Sequence, residues 1–211
     1  MKSNGSLNIE RLIARARDGA PECLGQLFQY YENYLKLLAT THIDEKLQAR
    51  CSPSDVVQET YCDAHRDFEK FRGASGVEFL AWLRVILVNN MAREVEKHIL
   101  AAKRDVRREI SLDVMRNSLE RSALRLESVL ADRDAPSPSS SLHRHERTIA
   151  LANHLAELPG DYRKVLMFRH CEGLPFKDIA KRLERSEGAV RMLWLRAIEQ
   201  IRKRLAAEEG I

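Results

Sequence analysis

Apolar residues in the first hundred positions recur at spacings of three and four, the period of a helix with one buried face. Leu7, Ile9, Leu12, Ile13 and Ala16 share such a face. Asp18-Gly19-Ala20-Pro21 stops that helix and starts the next, with proline early in its first turn, where a missing N–H does no harm. Leu24, Leu27, Phe28, Tyr31, Leu35 and Leu38 continue the period. Ser52-Pro53-Ser54-Asp55 is another start signal, followed by Val56, Val57, Thr60, Tyr61, Ala64 and Phe68. Phe71 through Gly76 reads as a loop. From Phe79 to Val88 apolar residues lie on nearly every side, so this segment is expected to be the buried central helix of its domain. It should end on Asn89 and Asn90, where the sequence turns charged.

The pattern then weakens. Between Ile99 and Leu130 only weak helices are expected: Asp113 to Leu130 has some helical spacing but many charges, and partial order is expected there at best. Asp134 to Ser141 is the only Pro/Ser cluster, a composition that buries too little apolar surface to offset its ordering entropy. Residues 99–145 are therefore read as a linker, and the last six residues are expected to fray. Periodicity returns at Leu151, Leu155 and Leu158, stopping at Pro159-Gly160, and again at Tyr162, Val165, Leu166 and Phe168, stopping before Gly173. Leu174 to Leu183 forms a short helix with Pro175 at its start, Ile179, Ala180 and Leu183 inward, and Glu184-Arg185 as the turn. Ser186 is a natural N-cap for a last helix from Glu187 to about Leu205. Its inward positions are Val190, Leu193 or Trp194, Ala197, Ile201 and Leu205, which leaves Glu187, Arg191, Met192, Leu195 and Arg196 exposed.

Two helices joined by a turn of three or four residues, with polar and basic groups on the first half of the second, make a helix-turn-helix. Pro175 to Arg204 holds nine Lys and Arg against four Asp and Glu, the positive footprint of a phosphate-backbone reader. The expected fold is all-α: a helical domain over 7–98, a flexible linker over 99–145 and a helix-turn-helix domain over 146–205. Composition fits this. The 211 residues are 44% hydrophobic and 31% charged, and glycine and proline are too scarce (9 and 6) for the turns of a sheet protein.

Other classes fall away on the same residues. No apolar run approaches the ~18 residues of a membrane span, and Met1 to Asn8 lacks the apolar stretch of a signal peptide. Cys23, Cys51, Cys62 and Cys171 form no CxxC pair, so four reduced, mostly buried thiols of a cytosolic protein are expected rather than disulfides or a zinc site. Asp55, Glu59 and Asp63 form a carboxylate ladder, but no histidine stands at matching spacing, which argues against a metal. There is no nucleophile–base–orienter set and no phosphate-binding glycine loop, and His143, His145 and His170 are expected at the surface or in the linker. An enzyme, a cofactor or a small-molecule substrate is not expected.

Both helical blocks together resemble a bacterial alternative sigma factor of the extracytoplasmic-function (ECF) subfamily. The resemblance rests on Asp55 to Tyr61, on Phe71-Arg72-Gly73 with Phe79 to Ile86 and Asn89, and on Leu155 to Pro159 with Gly173 to Ala180 and Ser186 to Arg191. It implies that the first domain docks on core RNA polymerase and reads the minus-ten promoter element as single-stranded DNA. The second domain would set its recognition helix in the major groove of the minus-thirty-five element. The linker would thread through the polymerase, and the protein would have no catalysis of its own. Core polymerase and promoter DNA are the implied partners; an anti-sigma protein is left open.

The residues fit those roles chemically. Asp55, Glu59 and Asp63 step down one helix face, framed by Val56 and Gln58, as a stripe for a basic partner surface. Phe71, Arg72, Ser75, Arg84 and Asn89 are the candidates for unpaired bases, which aromatic and guanidinium faces can hold against the cost of unstacking. Trp82 is read as core. Arg191 suits a guanine edge or a phosphate, Leu195 or Met192 a thymine methyl, and Arg185 and Ser186 the phosphates near the helix start, with Glu187 and Arg196 beside them. Four departures from the family pattern stand out. Glu184 replaces a turn glycine, Met192-Leu193-Trp194 follow the Val-Arg pair, Val85 stands where arginine is usual, and Arg93 where an acid often lies. Two other readings compete: a helix-turn-helix repressor or activator that acts without polymerase, which leaves the Asp55 helix and the Phe71 loop unexplained, and a protein-binding adaptor, which requires no salt-dependent DNA affinity.

Overall fold

The computed structural model describes residues 8–42, 52–101, 117–118, 121–122, 125 and 141–209, the side chains of 98–101, 141–144 and 208–209 excepted. The described residues are helical, without a strand, and fall into two compact units. One holds 8–39 and 52–101; the other holds 40–42 and the described residues from 117 onward. The Pro/Ser cluster before Ser141, Cys51 and the chain's first seven residues lie outside the described residues.

In the first unit the expected stop and start signals work as local chemistry. Helix α1 spans Ile9–Arg17, and the Asn8 carboxamide oxygen accepts from the Arg11 N–H at 2.8 Å. Gly19, at φ +91°, closes it: Ala20 N–H reaches back to the Arg15 carbonyl (3.1 Å) and Gly19 N–H to Ala16 (3.4 Å), a Schellman ending. Helix α2 spans Pro21–His42 and buries Leu24, Leu27, Tyr31, Tyr34, Leu35 and Leu38. Helix α3 spans Pro53–Asp67, with the Ser52 hydroxyl accepting from the Asp55 N–H. A single 3-10 turn, Phe68–Lys70, leads into the 71–75 loop, and helix α4 follows over Gly76–Ala101.

Helix α4 differs from expectation in two ways. It runs well past Asn89 and Asn90, because Met91 and Val95 remain buried and carry the apolar period onward. It is also not surrounded on every side: Val77 and Val85 are about two-fifths exposed and Ala81 lies between them on the same face, while Phe79, Leu80, Leu83, Leu87 and Val88 are buried. The core is aromatic. Phe28 stacks on Tyr61 (4.5 Å between centroids), and Phe79 touches Tyr31, Phe68, Phe71 and Trp82 at 5.4–6.4 Å. Each ring taken fully from water contributes ~1.5–3 kcal/mol. The buried Tyr31 and half-buried Tyr61 phenols both keep partners, Tyr61 donating to the Phe28 carbonyl (2.7 Å) and Tyr31 to the Gly76 carbonyl (3.2 Å), and desolvation raises both their pKa values.

In the second unit helix α5 spans Ser141–Ala156 and buries Ile149, Leu151, Ala152 and Leu155. Helix α6, Gly160–Leu166, widens into a π turn over Met167–Cys171, a feature the period of three and four does not announce. Gly173 (φ +74°) ends it. Helix α7 spans Phe176–Arg182 and helix α8 Glu187–Glu209, so the stretch from Ala206 to Glu209 continues the helix. Within the segment read as linker, Ser122 is buried and donates to the Cys171 carbonyl at 3.2 Å, so that residue is packed. Burial pushes the Cys171 thiol up to about 12; Cys23 is buried too, and Cys62 is exposed on α3.

Candidate nucleic-acid interface

The α7–α8 turn depends on its backbone. Glu184 sits at φ 52°, with Arg185 N–H bonded to the Ala180 carbonyl (3.0 Å) and Glu184 N–H to Lys181 (3.4 Å). This is the same Schellman ending that Gly19 makes after α1, built here on a residue with a Cβ. Ser186 then caps α8, its hydroxyl accepting from the Ala189 N–H at 3.2 Å. Helix α8 buries Val190, Ala197, Ile201 and Leu205 and exposes Glu187, Arg191, Met192, Leu195 and Arg196, with Met192 and Leu195 each 51% exposed. Arg191 bonds Glu187 at 2.6 Å and lies over the Phe176 ring at 5.0 Å; Arg185 bonds Asp161 at 2.6 Å. Exposed pairs of this kind are worth about 0–1 kcal/mol, so a phosphate or a guanine edge can replace the carboxylates.

The seat of α8 holds residues the sequence reading placed elsewhere. His170 is not a free surface group: its Nε2 accepts from the Trp194 indole N–H at 3.0 Å. Burial, reinforced by the neighbouring Arg169 cation, lowers its pKa. Trp194 also meets the Phe176 edge at 5.7 Å, and Arg169 covers Phe176 at 4.7 Å while donating to the Leu174 carbonyl. Trp194 is thus half-buried packing, in line with its place among the inward candidates.

In the first unit the structure divides the expected site residues. Asp55 and Gln58 are exposed on α3, and Glu59 is half-buried. Val56 is in the core at 1% exposure, which removes it from any docking face. Asp63 does not extend the acidic stripe: it is 7% exposed, bonded to Arg66 and, at 3.3 Å, to Arg93. A buried carboxylate needs such partners, and Arg93, the departure from the family pattern, is one of them. Phe71 does not offer its ring to solvent. It is 6% exposed and stacked on Trp82 at 5.0 Å, because apolar packing within the 68–82 aromatic group outweighs exposure in a loop. Arg84 lies over the Tyr34 ring at 5.1 Å and bonds its hydroxyl, so its charge is tethered at the edge of the core. Asn89 is half-buried and Arg72 exposed. Ser75 is half-buried and engaged with Glu78.

Two sequence-family models match the two units in order: Sigma-70 region 2 over residues 27–98 and Sigma-70 region 4 over residues 148–201, together more than half of the chain. The chain belongs to the sigma-70 family and is an ECF-type sigma factor. Similar curated proteins run nearly its whole length. The ECF RNA polymerase sigma-E factor of Haemophilus influenzae is 28% identical over 94% of this chain and 96% of its own. The RNA polymerase sigma-H factor of Pseudomonas aeruginosa is 29% identical over 93% of each, and the sigma-E factor of Escherichia coli K12 is 28% identical over 92% of this chain and 93% of its own. In this sigma factor α3 and α4 lie wholly within the region 2 match, apart from the last turn of α4, and α7 and α8 lie within or run on from the region 4 match. Helix α1 lies ahead of both. Among the described residues, no helix is long and apolar enough to cross a membrane.

Proposed function

We propose the following division of labour for this alternative RNA polymerase sigma factor, which directs transcription initiation. Helix α3 presents Asp55, Gln58 and Glu59 to core RNA polymerase. The 71–76 loop and the start of α4 hold the unpaired minus-ten strand, with Arg72 as the exposed cation and Asn89 farther along the helix. Helix α8 enters the major groove of the minus-thirty-five element, Arg191 and Arg196 meeting phosphate or guanine and Met192 and Leu195 meeting thymine methyl groups. The observation that carries this reading is the order of the region 2 and region 4 matches along one chain whose α8 buries one face and exposes a basic and apolar one. Sigma factors are initiation factors rather than enzymes, and this one would act in the cytoplasm with no catalytic group of its own.

Core binding tests the first step. Asp55 is exposed in the first turn of α3, so Asp55→Arg should cost the helix no more than about 1 kcal/mol and weaken binding to core polymerase about tenfold or more, through charge reversal at an interface. An unchanged affinity would remove α3 from the docking face.

A further inference from the structure

The 71–76 loop is gripped from two sides by groups of opposite charge. Arg17, the last residue of α1, donates from one guanidinium nitrogen to the Phe71 carbonyl at 3.2 Å and to the Gly73 carbonyl, and its guanidinium lies over the Phe71 ring at 5.4 Å. Glu78, in the first turn of α4, accepts from the Ala74 and Ser75 N–H groups (3.0 Å each) and from the Ser75 hydroxyl (2.7 Å). The Ser75 hydroxyl in turn accepts from the Glu78 N–H, completing a capping box. These bonds to Ser75 and Ala74, with the Arg17 charge, keep the Glu78 carboxylate ionised to lower pH than usual. Gly73 fits because it has no Cβ; one would lie 2.6 Å from the Phe71 ring and 2.7 Å from the Glu78 Cβ.

The carbonyls on both sides of Arg72 therefore point at one cation, and Arg72 itself remains exposed. We propose that Arg17 is a positioning residue for single-strand capture, fixing the loop so that Arg72 meets the unpaired promoter strand already placed. The proposal rests on the reading of this loop as a single-strand contact, and it adds α1, which lies outside the family match, to that machinery. Its physical basis is preorganisation. A loop already held by its own peptide groups loses less conformational freedom when DNA binds, and the binding is correspondingly tighter. Arg17 holds the loop through the Phe71 and Gly73 carbonyls and the Phe71 ring, and Arg72 is the exposed cation between them, so the effect of Arg17 on DNA is expected to pass through Arg72.

The test is a double-mutant cycle on holoenzyme assembled with bacterial core polymerase. The probe is a fluorescent single-stranded DNA pool of randomised sequence, titrated over a range of salt. Arg17→Met should weaken binding roughly three- to tenfold, the range for one loop side chain's ordering. Its salt slope should stay at the parent value, whereas Arg72→Met should reduce the slope by about 0.7 for one lost single-strand phosphate contact. In the Arg72→Met background, Arg17→Met should have no further effect. Arg17→Lys keeps the charge but lacks the planar guanidinium that lies over the Phe71 ring, so it should restore the affinity only in part. The proposal is overturned if Arg17→Met stays within twofold of the parent, if it lowers the salt slope as a direct phosphate contact would, or if its loss adds in full to that of Arg72→Met. Failure of the parent to form a holoenzyme would instead overturn the sigma-factor assignment of α3, and with it the loop's role.

Discussion

Glu184 is the residue whose backbone departs furthest from what its side chain prefers. Left-handed φ costs a residue with a Cβ roughly 1–2 kcal/mol, and glycine very little. Glu184→Gly should therefore raise the denaturation midpoint of the second unit, with a gain of about 1 kcal/mol, and leave the promoter preference intact. A fall in the midpoint would mean that the glutamate side chain makes a compensating contact. The sequence marks this position, since a helix stop without glycine is visible in it. It does not mark the fates of Phe71, Val56 and Asp63. A period of three and four says which residues share a face, not whether that face meets the core. Asp63 carried one local clue, Arg66 at i+3, but Arg93 is thirty positions away. Phe71 had a clue as well, since Phe68, Phe79 and Trp82 stand close enough in the chain to form one aromatic group.

At the scale of the element, caps and stops were legible because they are local chemistry. Asn8, Gly19 and Ser52 each act within a few residues. The seat of α8 was not legible, because His170, Phe176 and Trp194 come from the π turn, α7 and α8. That seat gives a pH dependence. His170 accepts a hydrogen bond only while Nε2 is unprotonated, and burial together with Arg169 lowers its pKa from the ordinary value of 6.5. The unfolded chain then binds more protons than the folded one below about pH 6.5, so the stability His170 contributes is present above that value and is lost as pH falls toward the lowered one. His170→Gln keeps an acceptor for Trp194 and does not titrate. Thermal unfolding between pH 7.5 and pH 5.5 should show a smaller loss of midpoint in the variant than in the parent. Equal losses would assign the acid sensitivity to other groups.

For the whole molecule, two helical units in this order were legible from periodicity, composition and the basic helix-turn-helix, and the family matches bear out that order. What stayed hidden is the way distant segments complete each working surface. Arg17 reaches the loop across more than fifty positions, and Ser122, from a stretch read as linker, packs on Cys171. Contacts of this kind leave no periodic trace, because only one or two residues of a segment make them.

On the proposed function, this chain gives core polymerase its choice of promoter through two separate DNA readers. The direct measurement is transcription by bacterial core polymerase from a randomised promoter library, with the parent protein, with Arg72→Met and with Arg191→Ala. Transcripts are expected only when the protein is added, and they should share two sequence elements. Arg72→Met should depress transcription without changing the shared downstream element, as the loss of a phosphate contact does, and Arg191→Ala should relax only the upstream one, by about 1–3 kcal/mol of discrimination at a contacted base. Transcripts without shared elements, or none at all while the protein binds duplex DNA tightly by itself, would contradict it and favour a helix-turn-helix regulator that works without polymerase.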